Sequence, residues 1–304
     1  MAEFYKRNLG FFSEAEQQRL GKSCVSIAGV GGDGFQLGLK LAMMGVKEFK
    51  VADPEVFEPE NSNRVLGATA LAIGMNKAEV FKQRVLELRP DARVKFYTDG
   101  VTEDNSEDFM NGADLVIDET DLLYPHLGTM IAREARKRQI PDLFAMNIGF
   151  SGVATSFKPN ANYWTFERAM GIPKDAPLDE VKDMQINFTR ALPYLPSYGD
   201  LETLKSVMNG ASLPSITQGV DIASGIGSTE AFLHLVNKGN DKNHRRQPTW
   251  APFWKYYDAY NGKSGNYRLN VANIGFYGSL SKVAIRNALN LVPKASYVNI
   301  STEH

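Results

Sequence analysis

A single cysteine, Cys24, is all the thiol this 304-residue chain possesses. No internal disulfide can form and no cysteine zinc cluster can be assembled, which points to a reducing cytoplasm. Histidine is scarce too: His126, His234, His244 and His304 are the four, none at metal-ligand spacing. Apolar runs such as LLYPHLGTMIA are short or interrupted, below the roughly 20 residues that a bilayer span requires. The opening MAEFYKRNLGFF lacks the apolar core of a secretory signal. Lysine and arginine number 34 against 35 acids, a formal net charge of −1, so electrostatics offers no case for a nucleic-acid partner. What is present is 43% hydrophobic residues on a chain long enough to bury a large core in one or two domains.

The first half alternates strand and helix patterns. SCVSIAGV reads as a buried strand, FQLGLKLAMMG as a helix, and EFKVAD as a second strand ending in Asp53. NKAEVFKQRVLELRP has helical spacing and stops before a proline. ARVKFYTD and ADLVIDETD are a third and fourth strand, LGTMIAREARKRQ a helix, and PDLFAMNIGF a fifth strand. This alternation predicts an α/β, doubly wound, mainly parallel sheet that binds ligands at the carboxyl ends of its strands. Beyond about residue 150 the regularity fades, although PSITQGVDIASGIGSTEAFLHLVNKG becomes a helix that stops at Gly239. The closing GSLSKVAIRNALNLVP is amphipathic, with Leu280, Val283, Ala284 and Ile285 leading its apolar side, and reads as a packing helix or an oligomer contact.

The stretch GVGGDG comes directly after the first strand and opens the first helix of the alternating series. Gly29, Gly31 and Gly34 match the G-x-G-x-x-G spacing that lets backbone approach a phosphate, and Asp53 closes the next strand where an acid binds ribose hydroxyls. Alone this pattern also serves a nicotinamide oxidoreductase. From Asp53 the chain continues as DPEVFEPENSNR, and further along it carries GMNKAEV and VIDETD.

With those segments the chain resembles the ubiquitin-activating enzymes and their bacterial relatives MoeB, ThiF and HesA. That family carries a strand, G-x-G-G-x-G, a helix and an aspartate. An asparagine comes eight residues later, an arginine three further, then G-x-x-K and D-x-T-D. The matching positions are Gly29, Gly31, Gly32, Gly34, Asp53, Asn61, Arg64, Lys77 and Asp121. The resemblance implies a Rossmann-like fold over 1–304, with a nucleotide-binding half (1–150) and a substrate-binding, crossover half (151–304) that completes the sheet. It also implies Mg-ATP, a carboxylate substrate activated as an acyl-adenylate with release of pyrophosphate, and a homodimer in the cytoplasm. Asp53 would bind the ribose, Asn61 the nucleotide, Arg64 and Lys77 the phosphates, and Asp121 the magnesium ion. The arm YKRNLGFFSEAEQQRL resembles the family segment whose arginine reaches the partner subunit's ATP, which makes Arg7 the candidate.

The departures shape the expected chemistry. Many members add a thioester step on a cysteine in the second half and bind zinc with two C-x-x-C pairs; neither feature is here. Cys24 lies in the first strand and reads as core. The expected activity is therefore adenylation followed by direct attack of an amine, thiol, water or internal nucleophile. The carboxylate would belong to a peptide or protein terminus or a small molecule. A non-catalytic ATP-binding scaffold is the alternative. His126, five residues after Asp121, could line the same cleft, Asp221 could initiate a helix, and residues 160–215 with Trp250–Tyr260 are expected to shape the carboxylate pocket. Asp33 stands where relatives carry an apolar residue; the expectation is that it caps the following helix.

Overall fold

The computed structural model describes residues 3–184, 186, 195–209, 211, 213–238, 245–269 and 274–289. Its helices are α1 (Glu14–Leu20), α2 (Gly32–Met44), α3 (Lys77–Leu88), α4 (Ser106–Met110), α5 (Pro125–Lys137), α6 (Phe166–Met170), α7 (Leu178–Lys182), α8 (Leu201–Met208), α9 (Thr217–Asn237) and α10 (Ile274–Ala288). The strands are β1 (Cys24–Ala28), β2 (Glu48–Ala52), β3 (Arg93–Tyr97), β4 (Leu115–Asp118), β5 (Asp142–Ile148), β6 (Ser151–Phe157), β7 (Phe253–Asp258) and β8 (Lys263–Arg268). They form one sheet in the order β3-β2-β1-β4-β5-β6-β7-β8. Pairings from β3 to β5 are parallel and those from β5 to β8 antiparallel. The mainly parallel, doubly wound half is the one legible in the sequence.

β1 and β4 are buried along their whole length because helices cover both faces, as apolar runs in parallel sheets require. One face packs Leu37, Leu41, Phe81 and Leu235, from α2, α3 and α9, onto Ile27, Phe49 and Leu143. The opposite face packs Phe109, Met110 and Ile131, from α4 and α5, onto Ala28 and Val116. Each such side chain contributes roughly 1.5–3 kcal/mol by leaving water. Chain order reverses between β1 and β4, so a cleft opens at their carboxyl ends.

Three strands, β6, β7 and β8, escaped the periodicity. β6 is buried throughout, yet its SGVATSF is small and polar, and it returns antiparallel beside β5 through a turn at Gly149. β8 is a largely exposed edge strand of KSGNYR. α9 ends at Asn237, and the expected stop at Gly239 lies outside the described residues. Its N-cap is Ile216, so Asp221 does not initiate it; this acid sits in the second turn, 3.9 Å from Lys40 Nζ. In α10, Val283 is buried and Leu280 packs beside it, but Ile285 is 59% exposed, since two helical residues turn about 200°. No described helix is long and apolar enough to cross a membrane.

His234, on α9, is a core histidine. Its Nε2 lies 2.8 Å from Ser156 Oγ and its ring meets Trp250 edge-on. Burial pushes its pKa down to about 3, from an ordinary value of 6.5. A depressed folded pKa means that the stability is present above 6.5 and is lost as pH falls toward 3, by up to about 1.4 kcal/mol per pH unit. Urea unfolding between pH 7 and 4 should therefore show a steeper loss in the native protein than in His234→Gln. Parallel slopes would contradict the assignment.

Candidate functional site

The glycine loop begins where β1 ends. Gly29 has φ +89°, in the left-handed region, and its N–H donates to the Ala52 carbonyl (2.8 Å). A Cβ on Gly29 would lie 2.4 Å from the Glu119 carbonyl oxygen, and one on Gly34 would lie 2.1 Å from the Gly29 carbonyl oxygen. Only glycine fits this fold-back. The N-cap of α2 is Gly31, and no side chain caps the helix, which leaves its first N–H groups free to meet an anion.

Around this loop lies a cleft of about 940 Å³. Gly29, Gly31, Gly32, Gly34, Asp53, Asn61, Arg64, Lys77 and Asp121 all line it. His126 lines it as well, its pKa lowered by burial and by the charge of Lys182. Arg7 does not; it is exposed on the N-terminal arm.

Each polar group is held by local structure. Asp53 is buried, with Oδ2 accepting from the Val30 N–H (2.8 Å) and Oδ1 from the Glu55 N–H (2.9 Å). Burial raises its pKa against these hydrogen bonds and the nearby Lys77 charge. Asn61 fastens the turn Pro59–Asn63, its Oδ1 accepting from the Glu58 N–H (3.1 Å). Arg64 comes directly after that turn, its Nη1 donating to Asn63 Oδ1 (2.9 Å) and the Glu60 carbonyl (3.2 Å). Among the described residues no carboxylate pairs with it. Asn76 caps α3, accepting from the Ala78 (2.9 Å) and Glu79 (3.2 Å) N–H groups, and this fixes Lys77 at the first helical position. Asp121 is exposed, and its Oδ1 accepts from the Leu123 N–H (2.9 Å). The N-cap of α5 is Tyr124, so Asp121 is not a helix cap.

The Lys77 ammonium is ion-paired to Glu55, an exposed carboxylate in the same cleft. An anionic ligand on Lys77 must compete with that pair, so Glu55→Gln should tighten the binding of a phosphate-bearing ligand by about two- to fivefold, in line with the 0–1 kcal/mol of exposed pairs. Calorimetric titration checks this, and weaker binding would count against it.

Asp33 is not a cap. It lies inside α2, and its Oδ2 accepts from Asn147 twice, from the backbone N–H (3.0 Å) and from Nδ2 (2.8 Å). β4 has ended by that level, so the Asn147 N–H finds this carboxylate in place of a strand. Burial pushes the Asp33 pKa up to about 6, opposed by the Asn147 hydrogen bonds and the charges of Arg64 and Lys40. Glu119, the variable position of the D-x-T-D segment, shares the floor of the cleft, its pKa raised well above the usual range by burial and by the charges of Asp33 and Asp118. Asn147 and Ser215 line the cleft too. The one available signal for Asn147 was an asparagine closing the apolar strand DLFAMNI.

Other expectations shift. From the described part of 160–215 only Leu213, Pro214 and Ser215 line this cleft, and nothing from 250–260 does. Trp254 is fully buried against Phe144, while Lys255 and Tyr257 border a separate cavity of about 350 Å³. Glu230 is buried beneath Arg246 and the Thr249 N–H (2.6 Å), an anchoring role.

The ThiF family profile matches residues 5–270. The tRNA threonylcarbamoyladenosine dehydratase of Bacillus subtilis is 29% identical over 159 residues, 52% of this chain and 62% of that enzyme. The chain thus spans less than two thirds of this relative. Among solved structures, PaaA superposes with a TM-score of 0.63 at 18% identity, covering 88% of this chain and 73% of that one. Escherichia coli MccB with ATP superposes at 0.64 and 15% identity, covering 88% and 72%. At such identities the superpositions establish the shared fold, and the family match over most of the chain, glycine loop included, shows that the protein belongs to the ThiF family.

Proposed function

We propose that the protein is an ATP-dependent adenylyltransferase that activates a carboxylate as an acyl-adenylate, with no cysteine thioester step. The observation that carries the reading is the convergence of the glycine loop, Asp53, Asn61, Arg64, Lys77 and Asp121 on one cleft. A carboxylate oxygen attacks the α-phosphorus of ATP, the bond to the β-phosphate oxygen breaks, and pyrophosphate leaves. Two anions must meet, so Arg64 and Lys77 neutralise charge on the phosphoryl oxygens, and the uncapped start of α2 adds backbone donors. MccB, with ATP bound in its structure, has the same fold.

Magnesium fits the donor set. Asp121 lines the cleft and spends Oδ1 on the Leu123 N–H, which leaves Oδ2 as the kind of hard oxygen this cation prefers. Bound beside the phosphates, it would screen their charge. Cys24 is unsuited to a thioester. It sits at the far end of β1 from the glycine loop, roughly 16 Å away at about 3.3 Å per residue, and burial pushes its thiol up to about 11. The acceptor of the acyl group is an amine, thiol, water or internal nucleophile. Arg7, exposed and outside the lining of its own chain's cleft, is available to act in a partner's site, which supports the homodimer. The carboxylate is that of a peptide or protein terminus or a small molecule, and the setting is cytoplasmic.

The test is exchange of labelled pyrophosphate into ATP with magnesium and a panel of carboxylates. Exchange dependent on one carboxylate is the expected result. ATP binding without exchange, with any member of the panel or with cell extract, would favour a nucleotide-binding scaffold. Tight NADH binding without ATP binding would sink the reading.

A further inference from the structure

A continuous hydrogen-bonded path runs from the helix after the glycine loop, across the cleft, to Arg64. Asn147 donates through both its backbone N–H and Nδ2 to Asp33 Oδ2. A carboxylate accepts only, so the Asn147 amide is fixed with its oxygen turned the other way. That oxygen accepts from Ser215 Oγ (3.0 Å). The Ser215 carbonyl accepts from Asn63 Nδ2 (3.1 Å), which fixes the Asn63 amide by the same logic, and Asn63 Oδ1 accepts from Arg64 Nη1 (2.9 Å). Gln36, also on α2, donates to the Arg64 carbonyl (3.0 Å), so the arginine is held at both its backbone and its guanidinium. Ser215 lies just ahead of α9 and borders the cleft, so the path includes the segment at the cleft's rim.

We propose that Asp33, Asn147, Ser215 and Asn63 are positioning residues that preset Arg64 for the triphosphate. The proposal rests on the ATP reading and adds to it a role for Asp33, the acid inside the glycine loop. Without Asn63 the guanidinium keeps, among the described residues, only the Glu60 carbonyl, and without the Ser215 or Asn147 bonds Asn63 itself is less firmly placed, so the arginine must be ordered when ATP binds. AMP lacks the outer phosphates and has less to lose.

Calorimetric titration of the full chain with Mg-ATP and with AMP tests this. Ser215→Ala and Asn63→Ala should each weaken ATP by about five- to tenfold, the scale of one hydrogen bond, and change AMP by less than twofold. Ser215→Thr, which keeps the hydroxyl, should restore ATP binding. A second readout is the pH dependence of the two affinities. Protonated Asp33 is a poorer partner for two donors, so the ATP-to-AMP affinity ratio should fall from pH 7.5 to 5 more steeply in the native protein than in Asp33→Asn. The charged groups facing Asp33 are Lys40 on its own helix, Arg64 and Glu119. The nucleotides titrate equally in both proteins, so the difference between the two profiles belongs to Asp33. Unchanged ATP affinity in both alanine variants, parallel loss of ATP and AMP, or superimposable pH profiles would each overturn the proposal and leave the ATP reading standing. Failure of the native protein to bind either nucleotide would overturn both.

Discussion

Gly34→Ala is expected to abolish measurable ATP binding, weakening it by about 100-fold or more, while the protein still folds. The added Cβ would sit 2.1 Å from the Gly29 carbonyl oxygen and 3.2 Å from the Glu119 Cβ and Cγ. The first of these contacts is with backbone, so no rotamer change relieves it. The loop cannot retreat either, because Gly29 lies against the Glu119 carbonyl and its N–H is bonded to Ala52. The start of α2 must lift by about an ångström, and a shift of that size can cost about 100-fold where ligand groups must be placed accurately. The damage is confined to the carboxyl ends of β1 and β4, away from the packed side chains of α2 on α9, so the thermal midpoint should fall by only a few degrees. Gly21→Ala makes a useful contrast: its Cβ would meet nothing closer than 3.6 Å, with φ −67°, and ATP should bind it normally. Titration calorimetry with a thermal melt of each variant measures both effects. ATP affinity in Gly34→Ala within threefold of the native protein would show that the loop does not cradle the phosphates.

The part of the site readable in the sequence is the part built by short-range rules. The glycine spacing, an acid at the end of β2 and a lysine at the start of α3 are each a matter of a few residues, and all fall in the cleft. β1, β4 and β5 were legible because strands covered on both faces read as apolar runs between turn residues, and β2 and β3 because apolar residues alternate with charged ones along EFKVA and RVKFY. β6 was not, because its Gly152, Ala154 and Ser156 become core only once α9 lies on them. Asp33 shows the limit most clearly. Local logic made it a helix cap, whereas its real partner is Asn147, 114 residues away. Glu119 and Ser215 were missed likewise, for their place in the cleft comes from the fold and not from any motif. Tertiary contacts decided the polar residues that local patterns left free.

The second large effect concerns the charges around the phosphates. Arg64→Ala should reduce carboxylate-dependent pyrophosphate exchange by about 100-fold, equivalent to roughly 3 kcal/mol of barrier. Its guanidinium makes no ion pair among the described residues, so removal leaves no orphaned carboxylate and should hardly alter folding. Arg64→Lys should recover only part of the loss, because an ammonium cannot reproduce the planar fork. For Asp121 the informative change is to asparagine. Asp121 Oδ1 accepts from the Leu123 N–H, and an amide oxygen can keep that bond and the turn it fixes, while the negative charge is lost. Asp121→Asn should therefore lower exchange about as much as Arg64→Ala by weakening magnesium retention, and added magnesium should recover part of the activity. No magnesium concentration should rescue Arg64→Ala, because its loss is of a protein cation. That divergence separates the two roles. If both variants responded alike to magnesium, the assignment of the metal to Asp121 would fail even with exchange intact in the native protein.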